Sequence, residues 1–416
     1  MGTMISLALG RLEVDWGKNN FFSDHGALFQ DSDIKPVASY YANEDWPDGD
    51  PIVEMNEGMS KPLGEVRDRL ELLGHTLQAV EHHYEKLHQF HDISEPPIPF
   101  SQLQKVLAHV DVNRVSGNYG TDFEPGEFVR KEILERLSLT SEAHYYRDGQ
   151  LRPDHWEIDP LLENFGANGA LRLLAENEDN HKLEVSWGFT PLIESGWATR
   201  EQFQAGASSE QQFLIVTEGS SDARIIERAF QLFRPHIADF FRFVDMEEGY
   251  PFSGTGNLHR FAQGLVSIGI QNNILIVYDN DAEGASKLRA TRSLSLPSNF
   301  RAIKLPPLEA FETFNTIGPS GPTIENINGK AAAIECYLDL DADGLPDPVV
   351  RWTSFNRELG VYHGELEHKT QFMKRFLQLR SAKESYNHER IEAVLDAIVA
   401  ECVSIAEHKQ MSGLAP

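Results

Sequence analysis

Two runs in the second half of the chain, Phe213-Leu-Ile-Val-Thr217 and Ile274-Leu-Ile-Val-Tyr278, carry no polar alternation, and each ends at an acid, Glu218 and Asp279. A strand with one wet face would alternate, so runs like these belong in a sheet covered on both sides. The spacers between such runs have helical periodicity, over Asp222–Phe233, Leu258–Ile268 and Glu283–Ser293, and two further apolar runs occur at 240–244 and 300–303. Strand and helix alternate four times, which implies a mainly parallel four-stranded sheet between helix layers with right-handed crossovers.

The rest of the chain reads differently. Residues 5–16 alternate around Gly10 and suit a hairpin, whereas 41–60 hold six acids and no base and read as an acidic loop. From Pro62 to His91 apolar residues recur every three or four positions, which predicts one long helix. Further helices are expected over 100–110, 126–139 and 161–176, with a strand at 182–187 and a turn at 191–197. The first half is therefore expected to be a mostly helical, mixed α+β domain over 1–205. The small, polar stretch 204–212 separates it from an α/β core over 211–305, and 306–416 forms an extension with a short helix at 331–340, a hairpin (349–352 with 361–365) and two closing helices.

Charge narrows the function classes. Net charge is −27, but residues 1–210 carry −20 of it and the remainder only −7. Polyanions repel one another, so a nucleic-acid site is expected in the second half and a partner surface or shield in the first. No apolar stretch approaches the roughly 18 residues that span a membrane. The first thirty residues are too charged for a signal peptide, and two cysteines, Cys336 and Cys402, are too few for a disulfide framework. A cytoplasmic protein without membrane association is expected.

In an open parallel sheet the ligand site lies beyond the carboxyl ends of the strands. Glu218 and Asp279 stand there, with Asp222 one helical turn after the first and Asp281 and Glu283 at two-residue spacing after the second. Crowded carboxylates repel, and a hard divalent cation, Mg²⁺ or Mn²⁺, relieves that repulsion with oxygen ligands and substrate phosphate. Directly afterwards, residues 285–304 contain Lys287, Arg289, Arg292, Arg301 and Lys304 and no acid. A basic stretch beside such a cluster suits positioning of a phosphate backbone, with Lys287 and Arg289 nearest the metal and Arg292 beyond.

At these residues, Ile215-Val-Thr-Glu218-Gly219 with Asp222 and Ile276-Val-Tyr-Asp279-Asn-Asp281-Ala-Glu283-Gly284, the chain resembles the Toprim domain shared by type IA and II topoisomerases, bacterial primases, OLD-type nucleases and the ribonuclease that matures small ribosomal RNA. The resemblance implies that Glu218 is a metal ligand or general acid/base and that Asp279 and Asp281 bind metal. Glu218 to Asp222 matches the E-x-x-x-D spacing of the OLD-like nucleases, which makes Asp222 a ligand, and Glu283 stands where topoisomerases have a third Asp. Gly254-Thr-Gly256 occupies the place of a glycine turn in that fold. Gly329-Lys330 and Ala333-Ile334-Glu335 resemble a further OLD-like segment and add Lys330 and Glu335 as second-rank candidates. Leu9-Gly-Arg-Leu-Glu-Val-Asp-Trp-Gly-Lys18, Phe22-Ser-Asp-His25 and Arg69-Leu-Glu-Leu-Leu-Gly-His-Thr76 are similar to the N-terminal domain that precedes HEPN or Toprim modules in bacterial conflict proteins.

Together these imply a metal-dependent nuclease acting on DNA or a tRNA-like RNA, an endonuclease sooner than an exonuclease, in antiviral defence. Glu218, Asp279, Asp281 and Lys287 would carry catalysis. A defence partner on the acidic half and a homo-oligomer stay open. The competing reading is a non-cleaving regulatory subunit that binds a nucleotide or partner. Blander readings account for other motifs: Asp339-Leu-Asp-Ala-Asp343-Gly344 lacks the twelfth-position Glu of a calcium loop, His82, His83, His88 and His91 form a surface row, and Arg69 with His75 fits the R-x-H spacing of HEPN ribonucleases only in spacing.

Overall fold

A computed structural model describes residues 2–41, 52–90, 99–114, 165–244, 255–342, 344–356 and 359–413, with 128, 132–133, 136, 145–147 and 150–152 between them. The chain divides into two compact units, residues 1–208 with 406–416, and residues 209–405.

The first unit is built on an antiparallel sheet of five strands in the order Leu12–Lys18, Met4–Leu9, Glu184–Gly188, Ile52–Pro62 and Ile34–Tyr41. Gly10, at φ +59°, makes the expected hairpin turn. Alternation then does its work: Ile5, Leu7, Leu9, Leu12, Val14, Val185 and Trp187 are buried in one core with Leu63, Val66 and Leu70, Leu103 and Leu107, and Leu171 and Leu174 of the helices Leu63–Leu72, Phe100–Leu107 and Gly166–Leu174. Three expectations need correction. The acidic segment becomes strand from Ile52 onward, because its backbone pairs on both sides. The long helix is two, Leu63–Leu72 and Leu77–Phe90. They break at Gly74, which sits at φ +89° and has no room for a side chain, since a Cβ there would lie 2.5 Å from the Ala406 carbonyl oxygen. The turn expected at 191–197 begins instead as a short helix, Thr190–Glu194. Among its described residues this unit is mixed, helices packing with the five-stranded sheet. The helix expected over 126–139 falls almost wholly outside the described residues, as do Gly254, Asp343 and His91.

The second unit has the expected parallel sheet, in the order Phe300–Lys304, Asn273–Tyr278, Phe213–Val216, Phe241–Phe243. All six residues of the central strand Asn273–Tyr278 are buried. Ile274, Ile276 and Tyr278 share a core with Leu258, Ala262 and Leu265 of the helix Thr255–Ser267 and Leu288 of the helix Ala282–Arg292. Leu275 and Val277, pointing the other way, are buried too, so helices cover both faces as the unbroken runs require. A second sheet, ordered Gly321–Glu325, Phe314–Gly318, Val350–Asn356, Val361–Leu366, contains the expected hairpin and a second one, Phe314–Gly318 with Gly321–Glu325, that the sequence does not announce. The short helix expected at 331–340 is a two-residue strand, Ala331–Ala332, paired with Asn280–Asp281 and followed by the 3₁₀ turn Ile334–Tyr337. The helix Lys369–Leu377 follows, and then the helix Glu389–Gly413, whose residues up to Ile405 belong to this unit. Among the described residues, no helix is long and apolar enough to cross a membrane.

Candidate carboxylate site

Two neighbouring parallel strands end at the same edge of the sheet. Phe213–Val216 runs through buried Thr217 into Glu218, and Asn273–Tyr278 runs into Asp279. The two ends are tied directly: the Asp279 N–H donates to Glu218 Oε1 at 3.0 Å, and the Thr255 hydroxyl donates to Glu218 Oε2 at 2.6 Å. Asp222 faces the same turn, since its Oδ2 accepts the Gly219 N–H at 3.1 Å and its Oδ1 the Ser221 hydroxyl at 3.1 Å. Asp281 caps the helix Ala282–Arg292, accepting the Gly284 N–H at 2.6 Å, and its other oxygen lies 3.7 Å from His363 Nδ1. The helix can start that close only because residue 284 is glycine, where a Cβ would stand 2.3 Å from the Asp279 carbonyl oxygen.

The electrostatics show what the crowding costs. Burial first, then the charges of Asp222, Glu218, Asp281 and Glu335, hold the Asp279 carboxyl well above the usual carboxylate range. Burial also pushes Glu218 up to about 7, with Asp281 and Asp222 adding to it, and Asp222 up to about 7, with Glu335 adding to it. Among the described residues no Lys or Arg forms an ion pair with Glu218, Asp222 or Asp279, although the charge of Lys369 eases Asp222 slightly. These carboxyls accept either protons or a cation. Their donor set is oxygen throughout, which fits a hard divalent ion, yet no three His, Cys, Asp or Glu side chains among the described residues are grouped so that they could hold a metal ion by themselves. Such a site suits an ion that keeps several of its waters, as Mg²⁺ does.

The other candidates separate. Glu335, read only as second rank, is 7% exposed and acts electrostatically on Asp222 and Asp279. Glu283 is exposed, and no hydrogen bond or ion pair among the described residues links it to the other acids. Lys287 lies beside His259, whose pKa burial lowers and the Lys287 charge lowers further. Arg289 is exposed, and Arg292 donates to the Ala302 carbonyl at 3.0 Å. Lys330 bridges to Asp281 through its backbone. Sequence reasoning missed Thr255, although the Gly254-Thr-Gly256 turn marked its place. It also missed His363 and Lys369, which belong to elements brought in by tertiary packing and carry no local signal.

The weaker motifs resolve as structure. Arg69 is fully buried and donates to the carbonyls of Ala27 and Phe29, while His75 is within 2.9 Å of the Asn168 amide and burial lowers its pKa to about 4. Both side chains thus serve the packing of this unit. Asp339 accepts the backbone N–H groups of Asp341 and Asn387, the role of a turn residue.

Fold and site thus define a mixed α/β protein with a carboxylate cluster at the edge of a parallel sheet. The family model described as HEPN/Toprim N-terminal domain 1 matches residues 1–211, and the chain belongs to that family. No curated protein and no solved structure matches the chain.

Proposed function

We propose that the second unit is a Toprim-type, metal-dependent nuclease that hydrolyses phosphodiester bonds of DNA or RNA in antiviral defence. One observation carries the reading: Glu218 and Asp279, from adjacent strand ends, meet through a hydrogen bond from the Asp279 N–H, and neither has a cationic partner among the described residues. Membership of a family named for HEPN and Toprim modules supports it from the other half of the chain.

Glu218, Asp222, Asp279 and Asp281 would hold one or two ions, with Glu335 better placed than Glu283 to join them. The chemistry that bound Mg²⁺ or Mn²⁺ supplies is polarisation of a phosphate oxygen and acidification of water. Glu218, with a pKa near neutrality and its carboxyl fixed by Thr255 and the Asp279 N–H, is suited to take up or give back a proton at Oε. Lys287, Arg289 and Arg292, on the following helix, would meet the backbone farther from the reacting phosphate.

Incubation of the purified chain with supercoiled plasmid and with total tRNA, in Mg²⁺, Mn²⁺ or chelator, tests this. The reading expects metal-dependent cuts, opening of closed circles as an endonuclease requires, and loss of cleavage in Asp279→Ala. A second reading, a non-cleaving regulatory subunit, draws on the absence of a ready-made metal group among the described residues and on the −20 net charge of residues 1–210. It expects no cutting under any of these conditions and capture of a basic partner by the acidic half.

A further inference from the structure

Lys304 ends the strand Phe300–Lys304 and is paired in register with Tyr278, the residue before Asp279. Its side chain is half-buried. Its ammonium nevertheless has one hydrogen-bond partner among the described residues, Asn280 Oδ1, and no carboxylate within ion-pair distance. An ammonium has three donors, so two are left for a ligand.

Asn280 fixes where that ammonium sits. The residue is fully buried, between Asp279 and Asp281, and its amide is completely used. Nδ2 donates to Asn328 Oδ1 at 3.0 Å and to the Tyr337 hydroxyl at 3.3 Å, and Oδ1 accepts the Gly329 N–H at 3.0 Å as well as Lys304. A backbone N–H can only donate, so the atom facing Gly329 has to be the oxygen, and the amide cannot turn over without losing all four partners. Burial lowers the Lys304 pKa, and the charge of Asp281 opposes that only in part. By contrast, Arg292 of the following helix donates to the Ala302 carbonyl, away from the acids.

We propose that Lys304, held by the buried Asn280, receives a phosphate oxygen of the substrate at the carboxyl edge of the sheet, so that a site of carboxylates can grip a polyanion. The assignment rests on the nuclease reading for the nature of the substrate. Its test pairs cleavage with binding. Anisotropy of fluorescein-labelled single-stranded and duplex oligonucleotides is followed across salt in chelator, alongside plasmid and tRNA cleavage in Mg²⁺, for the wild type, Lys304→Ala, Lys304→Arg and Arg234→Ala.

Lys304→Ala is expected to lower kcat/KM about 100-fold with a raised KM, and to flatten the slope of log K against log salt by about 1. Lys304→Arg recovers most of both. Arg234→Ala, which removes a guanidinium paired with Asp396 outside the basic stretch, behaves as wild type. Should Lys304→Ala melt several degrees low, Lys304→Gln, which keeps a donor for Asn280 without the charge, decides in its place. An unchanged slope and unchanged kcat/KM in the charge-free variant overturn the assignment. Absence of any cutting by the wild type counts against the nuclease reading instead, and the binding slope still judges Lys304.

Discussion

At the scale of single residues, the raised carboxyl pKa values set the sign of the pH response. Glu218 and Asp222 ordinarily titrate near 4.5 and 3.8 and are pushed up to about 7 here, chiefly by burial. Between those limits the folded chain keeps protons that the unfolded chain releases, so the stability these groups contribute is full at low pH and is lost as pH rises toward 7. In chelator, the melting temperature of the wild type is therefore expected to fall between pH 5.5 and 8 more steeply than that of a Glu218→Gln, Asp222→Asn variant, as scanning calorimetry across that range will show. Asp279→Asn removes the most crowded charge. It is expected to abolish cleavage while raising the metal-free melting temperature at pH 8 by a few degrees, on the order of 1 kcal/mol; a lower melting temperature would mean that the charges do not repel as described. Glu218 and Asp279 were legible in the sequence because a residue just after a buried strand has only the sheet edge to occupy. Glu335 was legible only as a second-rank candidate and Lys304 only as the far end of a basic stretch, since their places depend on Ala331–Ala332 pairing back onto Asn280–Asp281 and on a buried amide.

At the scale of elements, glycines decide what periodicity cannot. Leu63–Leu72 and Leu77–Phe90 share one apolar rhythm and read as a single helix. The break at Gly74 follows from a positive φ and from contact with Ala406, more than 300 residues away in sequence, which no local pattern records. Gly284 plays the corresponding part at the site. Gly284→Ala is expected to force the helix Ala282–Arg292 off the Asp279 carbonyl, costing about 1–3 kcal/mol and most of the cleavage activity, measured by urea unfolding and plasmid nicking. Wild-type values for both would show that the helix does not depend on this approach. The parallel strands were legible because double burial leaves an unbroken apolar run. The hairpin Phe314–Gly318 with Gly321–Glu325 was not, since its second strand is largely exposed and includes Pro322, which blurs alternation.

At the scale of the whole molecule, the family match and the carboxylate cluster fall in different halves of the chain. The family model covers residues 1–211, whereas the acids lie between 218 and 335. The last residues, 406–416, belong with the first unit, and Glu407 accepts a hydrogen bond from the Thr76 hydroxyl. Truncation after Ile405 is therefore expected to destabilise the first unit by about 1–3 kcal/mol, seen as earlier proteolysis within residues 52–90 under limiting trypsin, and Gly74→Ala in the truncated chain should add less than it does in the full chain. The central claim is that the acids of the second unit share a cation. Calorimetric titration of Mn²⁺ at pH 6.5 tests it most directly: the wild type is predicted to bind one or two ions with release of protons, and a Glu218→Gln, Asp279→Asn variant to bind none at that affinity. Equal binding by both proteins, or none by the wild type into the millimolar range, would contradict the account.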